Sequence, residues 1–281
     1  MSVASLAWLA PAKLNLFLHI VGRRADGYHL LQTAFQFFDL CDTLSFDITR
    51  DGVIERVRDI PAVPAEHDLT VRAAMLLQRA TGTALGARIT CEKHIPLGGG
   101  LGGGSSDAAT TLVALNELWG TGQSVDQLAQ LGLHLGADVP VFVRGHAAWA
   151  EGVGEMLTPI EPPEPWYVVI HPLCHVPTAE IFNLPELTRN TSPIKIRDFF
   201  AGSGRNDCES AVRMRYPAVA AALEWLGKFG FARMTGTGAC VFAAFPAEAR
   251  AREVAMQTPP LWRGYVAKGL NRSPLRAQLG V

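Results

Sequence analysis

The most chemically suggestive stretch of this chain of 281 residues is Gly98-Gly99-Gly100-Leu101-Gly102-Gly103-Gly104-Ser105-Ser106-Asp107. Six glycines within seven positions oppose the interior of a helix or strand, because glycine loses the most backbone freedom on ordering. Residues 87–95 before them have a strand-like pattern, and Ala108, Leu112, Leu115 and Trp119 after them recur at helical spacing. A glycine loop feeding a helix offers free N–H groups and the positive end of the helix dipole, with no Cβ to keep an anion away. That is the chemistry of a polyphosphate cradle, and Ser105 or Ser106 is expected to cap the helix. The other reading, a flexible linker, is disfavoured by the strand and helix clamping the loop.

The residues beyond the loop narrow the kind of phosphate site. Gly98, Gly100 and Gly103 satisfy G-x-G-x-x-G, but a dinucleotide fold needs a second parallel strand after its helix. Here a second helix comes next, opening at Ser124 with Gln127 completing a capping box and ending at Gly136. A Walker A loop needs a lysine before its hydroxyl residue, and Ser105 follows Gly104 directly.

Three further segments carry candidate chemistry. Residues 12–21 alternate, with Leu14, Leu16, Leu18 and Ile20 on one face and Lys13, Asn15, Phe17 and His19 on the other. That period predicts a strand with one face in a core. A lysine there is ordinarily solvated, but Phe17 beside it hints at a pocket. Asp138 precedes Val139-Pro140; the proline is expected to keep Val139 extended, with a strand over 141–143. Asp138 reads equally as a turn former or as a reactive carboxylate. Asp26-Gly27 signals a tight turn, and the Tyr28 and His29 next to it read on residue type as a packed tyrosine and a surface histidine.

Gly102-Gly103-Gly104-Ser105-Ser106-Asp107-Ala108-Ala109 resembles the glycine-serine loop of the GHMP kinase family. The resemblance extends to Pro11-Ala12-Lys13-Leu14-Asn15-Leu16, Arg24-Ala25-Asp26-Gly27-Tyr28-His29, Leu135-Gly136-Ala137-Asp138-Val139-Pro140 and Thr235-Gly236-Thr237-Gly238-Ala239. It implies an α+β fold of two domains, an S5-like ATP-binding domain over 1–158 and a ferredoxin-like domain over 159–281, with the active site in the cleft between them. It also implies transfer of the γ-phosphate of ATP to an alcohol, with Asp138 as base and Lys13 as charge stabiliser. The segments look most like the branch acting on the 2-hydroxyl of a cytidine diphosphate-linked methylerythritol, in non-mevalonate isoprenoid precursor biosynthesis.

By the same resemblance, Pro96, Leu97, Leu101 and the loop from Gly98 to Ser106 contact the nucleotide, with Lys93 and Asp68 beside it. Asp68 stands where the family usually has asparagine, so an amide donor is lost. Asn15, Tyr28, His29, Thr178, Phe182 and Gly238 are implied around the acceptor, the aromatics holding its cytosine. Mg²⁺ is expected with ATP, its ligands unassigned.

Composition sets the remaining bounds. Hydrophobic residues make up 48% and charged residues 18%, and the formal net charge of −1 gives no bulk attraction to nucleic acid or to an anionic membrane. Cys41, Cys91, Cys174, Cys208 and Cys240 are dispersed, so neither a disulfide framework nor a zinc site is expected. Residues 1–10 lack a basic leader, and no apolar run approaches the ~20 residues of a membrane span. The expectation is a cytoplasmic protein, a monomer or weak homodimer, with a domain boundary at the four prolines of residues 159–165.

Overall fold

The computed structural model describes residues 7–60 and 63–280. Residues 1–6, part of the amino-terminal stretch without a basic leader, lie outside them with 61–62 and 281. In chain order the elements are β1 (Trp8–Arg23), β2 (His29–Thr49), β3 (Ile54–Arg56), α1 (Leu69–Thr81), β4 (Gly86–Glu92), α2 (Gly103–Trp119), α3 (Val125–Leu133), α4 (Val139–Arg144), β5 (Ala148–Glu151) and β6 (Met156–Pro159). Past the prolines come β7 (Trp166–His171), α5 (Thr178–Asn183), α6 (Ile196–Phe200), α7 (Glu209–Arg215), α8 (Pro217–Leu226), β8 (Arg233–Met234), β9 (Val241–Phe245), α9 (Glu248–Ala255), β10 (Arg263–Leu270) and α10 (Pro274–Gln278).

The long hairpin of β1 and β2 is the spine. Its turn closes as Asp26-Gly27 predicts: the Gly27 N–H donates to the Arg24 carbonyl at 3.0 Å, and the Arg24 N–H to the Tyr28 carbonyl at 2.7 Å. The sheet runs β3-β4-β2-β10-β7-β9-β8, with β1 and β5 also paired to β2. Its middle join is short, Gly269 opposite Phe38 and Leu270 opposite Phe37. One core packs α1–α4 and α10 against the first half of the sheet, a second packs α7–α9 against β7 and β9, and a third lies between them around Leu14, Phe17, Trp149, Tyr167 and Phe242.

Three local expectations are corrected. β1 is buried on both faces, Lys13, Asn15, Phe17 and His19 included. Its single alternation also breaks. Asn15 pairs with Phe35 but Leu18 with Thr33, so one extra residue is inserted and the side-chain parity flips. Leu14, Leu16 and Phe17 therefore share the middle core, while Leu18 and Ile20 enter the second.

The second correction concerns residues 141–143, which are helical. Val139 and Pro140 open α4, where the ring removes an N–H that has no intrahelical partner anyway. All five residues from Val139 to Val143 are buried, and burial outweighs the strand preference of the valines. The third is the start of α2. Gly102 caps it in the left-handed region without a side-chain bond, and Gly103 and Gly104 form its first turn. Ser105 and Ser106 are already helical.

Phe142 of α4 is 1% exposed, its ring 5.7 Å from that of Phe37. Phe142→Ala is expected to cost about 3–5 kcal/mol, read by chemical denaturation. A loss below about 1 kcal/mol would show that this contact does not fix α4.

Candidate active site

β1 and the glycine loop are joined by the Lys13 N–H donating to the Leu101 carbonyl at 3.0 Å. The other side of the loop is joined to the carboxy-terminal half, since the Cys240 N–H donates to the Gly99 carbonyl at 3.1 Å. The second glycine loop, 235–239, is anchored on β1 through the Asn15 N–H donating to Thr235 Oγ1 at 2.9 Å. Two glycines are required by this closeness. A Cβ on Gly100, at φ +75°, would sit 2.6 Å from the Thr235 carbonyl oxygen, and one on Gly102, at φ +74°, would sit 2.8 Å from Phe142 Cζ and 3.1 Å from Lys13 Cε.

At this junction the Lys13 ammonium donates to Asn15 Oδ1 at 2.5 Å and to the Gly100 carbonyl at 3.2 Å. It pairs with Asp138 Oδ2 at 3.2 Å; the lysine side chain is 4% exposed and the aspartate 34%. Asp138 has helical dihedrals at the amino end of α4, so a packed helix, not an extended turn, aims it at the lysine. Lys13, Asn15, Asp138, Gly100, Gly102, Gly236, Thr237 and Thr178 line a cleft of about 230 Å³. The first N–H groups of α2 have no acceptor within their own helix, which leaves them to an anion.

A larger cleft of about 470 Å³ adjoins it, sharing Leu31, Thr178 and Phe182 and adding Tyr28, His29, Ala137 and Val153. His29 and Phe182 stack with centroids 5.0 Å apart and planes at 23°. His29 Nε2 accepts from Arg189 Nε at 3.1 Å, which puts the ring proton on Nδ1. Burial first, then the guanidiniums of Arg189 and Arg23, hold this imidazole below its ordinary range. Tyr28, read on type as packed, is 65% exposed, and His29, read as a surface residue, is buried. Thr178 bonds Thr237 across the two clefts, 2.9 Å between hydroxyl oxygens.

The residues expected around the nucleotide divide. Leu97, Gly98 and Gly104 are exposed, and Pro96, Gly100, Gly102, Gly103 and Ser105 are half-buried. Gly99 and Ser106 are buried, and Leu101 packs into the middle core, so its side chain cannot face a ligand. Asp68 is buried as the cap of α1. Its carboxylate accepts from the Thr70 N–H and hydroxyl at 2.9 and 2.7 Å and from Arg56 at 3.0 Å, which occupies both oxygens. Gly238 lies within the second loop, but Gly236 and Thr237 are the members of that loop lining the cleft.

Lys93 is held by two carboxylates, Asp42 and, at 2.5 Å, Asp107. The other Asp42 oxygen accepts the N–H groups of His94 and Ile95 at 2.5 and 2.8 Å, so the group ties the entry of the glycine loop to α2 at Asp107. The two carboxylates hold Lys93 strongly protonated against the burial that opposes its charge. Burial first, with Asp42 adding, pushes Asp107 up to about 7 against the pull of Lys93. Sequence reasoning does not single out Asp42, Asp107, Gly236, Thr237 or Arg189. The second glycine loop is the available signal for two of them, and nothing local distinguishes the others.

The family profile described as GHMP kinases N terminal domain matches residues 68–146, and that described as GHMP kinases C terminal matches residues 186–257. The chain belongs to the GHMP kinase family. As a GHMP kinase it is an ATP-dependent phosphotransferase. It is 60% identical over 270 residues, 96% of each chain, to the 4-diphosphocytidyl-2-C-methyl-D-erythritol kinase of Nitrosococcus oceani. It is 57% identical over the full length of both chains to the enzyme of that name from Pseudomonas syringae pv. syringae. The crystal structure of a 4-(cytidine 5'-diphospho)-2C-methyl-D-erythritol kinase superposes with TM-score 0.81 at 34% identity, covering 94% of this chain and 99% of that one. A mevalonate kinase shares the fold, with TM-score 0.70 at 17% identity over 95% of this chain and the whole of that one. No helix among the described residues is long and apolar enough to cross a membrane.

Asp107 supplies a test of the buried cluster. Its raised value means the native state holds this proton where the unfolded chain has lost it, so its contribution to stability is full below 3.8 and is lost as pH rises through about 7. Thermal unfolding across that window should show wild type losing stability relative to Asp107→Asn. A difference that stays constant with pH would contradict the assignment.

Proposed function

We propose that this kinase transfers the γ-phosphate of ATP to the 2-hydroxyl of 4-diphosphocytidyl-2-C-methyl-D-erythritol, in the cytoplasm, as a step of isoprenoid precursor biosynthesis. The observation that carries this reading is the continuity of the two clefts. A site with a lysine, an aspartate and a glycine loop opens through Leu31, Thr178 and Phe182 into an aromatic-walled cleft. An elongated acceptor with its alcohol at one end and a pyrimidine at the other matches that arrangement, as do the names of the relatives. In this reading residues 1–158 supply the ATP-binding domain, and residues 159–281 close the cleft with the second glycine loop and α5.

Phosphoryl transfer through a loose transition state asks mainly for positioning and charge stabilisation. The glycine loop and the first turn of α2 cradle the triphosphate. Lys13, held by Asn15 and Asp138, meets the charge spreading over the transferring group. Asp138 orients the acceptor hydroxyl and takes its proton. Tyr28, His29 and Phe182 hold the cytosine. Asn15 already receives the lysine on its amide oxygen and donates from its amide nitrogen to Thr33 Oγ1 at 3.0 Å, so its part is to position Lys13 as much as to touch the acceptor.

Among the described residues no three His, Cys, Asp or Glu side chains converge as a metal site. This suits Mg²⁺, which keeps several waters and is carried largely by substrate phosphates. Ser105 and Ser106 are the hydroxyls beside the cradle, and Ser106 Oγ has no hydrogen-bond partner among the described residues. When bound, the ion neutralises charge on the β- and γ-oxygens.

A coupled assay with purified enzyme, run over the cytidine-linked acceptor, mevalonate, homoserine and galactose, tests the reading. Only the first is expected to turn over. Asp138→Asn should lower kcat by about 10²–10⁴. Phe182→Leu should raise the acceptor KM with kcat little changed, by the about 5–150-fold that stacking of 1–3 kcal/mol supplies. Turnover of another alcohol instead, or full activity in Asp138→Asn, would overturn the acceptor or the base respectively.

A further inference from the structure

The end of α4 opposite Asp138 faces a separate cleft of about 340 Å³, between α3, α4, the β5–β6 hairpin and α10. Its polar lining is Arg144, His146 and Arg276, its apolar lining includes Val125, Leu157 and Pro159, and no carboxylate among the described residues lines it. The cleft is built around Arg276. That side chain lies across Gly145, where a Cβ would come within 2.3 Å of Arg276 Cγ. Its Nη2 donates to the Val143 carbonyl at 2.6 Å, and its buried Nε has no hydrogen-bond partner among the described residues. The backbone fixes the two sides together, the Ser273 N–H donating to the Gly145 carbonyl at 3.0 Å and the Ala147 N–H to the Asn271 carbonyl at 2.8 Å. Arg144 is tethered only from outside, by Asp126 at 2.8 Å, and that aspartate is 74% exposed.

Two guanidiniums are charged donors suited to phosphate oxygens, and the imidazole beside them offers a further ring nitrogen. Aliphatic walls suit a hydrocarbon group and give a sugar nothing to bond. We infer that this cleft is a second ligand site, taking a small organic phosphate with a short apolar group, and that α4 couples it to the active site. α4 is six residues long, so its ends lie about 9 Å apart. A ligand gripping Arg144 at one end bears on Asp138 at the other. The binding claim stands apart from the function proposed above, whereas the coupling claim rests on Asp138 acting as that reading assigns.

Titration calorimetry with hexyl phosphate, run on the full chain with the ATP site saturated by a non-hydrolysable analogue, tests the binding. One equivalent should bind, with inorganic phosphate and hexanol each at least about tenfold weaker. Arg144→Gln should weaken hexyl phosphate by about tenfold or more, and because Arg144 is a surface side chain this variant retains the fold, which unfolding curves check. Arg276→Gln should weaken it likewise. No binding to wild type, or binding unchanged by Arg144→Gln, overturns the site. The second measurement is turnover. Arg144→Gln should keep the basal kcat and KM, and hexyl phosphate should change wild-type turnover but not that of the variant. Binding that leaves wild-type turnover unaltered overturns the coupling through α4.

Discussion

The ammonium of Lys13 is buried where three parts of the molecule meet, and it is held by a side-chain amide, a glycine carbonyl and a carboxylate. Each partner belongs to a different element. Asn15 is two residues along β1, Gly100 is in the loop before α2, and Asp138 begins α4. A buried cation left without such partners carries a large desolvation cost. The position of β1, the path of the glycine loop and the start of α4 are therefore coupled by one charge. Around it lie the bulge that lets β1 serve two cores and the Phe142 ring buried against Gly102.

The same junction explains why glycine is concentrated in two loops far apart in sequence. Backbone from the amino-terminal half passes within van der Waals distance of backbone from the carboxy-terminal half at Gly100, Thr235 and Gly238. No side chain fits between them. The close approach leaves the first loop free of side chains at this point, and Gly236 and Thr237 of the second line the cleft that holds Lys13 and Asp138. Beneath, the cluster of Asp42, Lys93 and Asp107 fixes where the loop enters and where α2 begins. Lys93 is thus engaged within this cluster, between the entry of the loop and α2.

The legible part of the sequence is what depends on local chemistry. The Asp26-Gly27 turn, the Ser124 capping box and the glycine loop ahead of a helical stripe each carry their cause within a few residues, and each is present. The parts that resist depend on tertiary burial. Residues 141–143 look like a strand because valine favours one, yet α2 and α3 cover the segment and make it helical. The bulge in β1 leaves no mark in an alternation that continues through it. Ser105 and Ser106 resemble caps, but Gly102, three residues before Ser105, adopts the left-handed turn that starts the helix. Asp68 reads toward the nucleotide because of its position in the family pattern; it also caps α1 and pairs with Arg56 on β3, with no sequence signal linking the two.

A crystal structure of the enzyme with a non-hydrolysable ATP analogue and the cytidine-linked acceptor bound together tests the account most directly. The triphosphate is expected against the backbone of residues 98–106, the acceptor 2-hydroxyl about 2.6–3.2 Å from the Asp138 carboxylate, and the cytosine against Phe182. An acceptor whose hydroxyl lies beyond reach of Asp138, with that carboxylate still engaged only by Lys13, would contradict it.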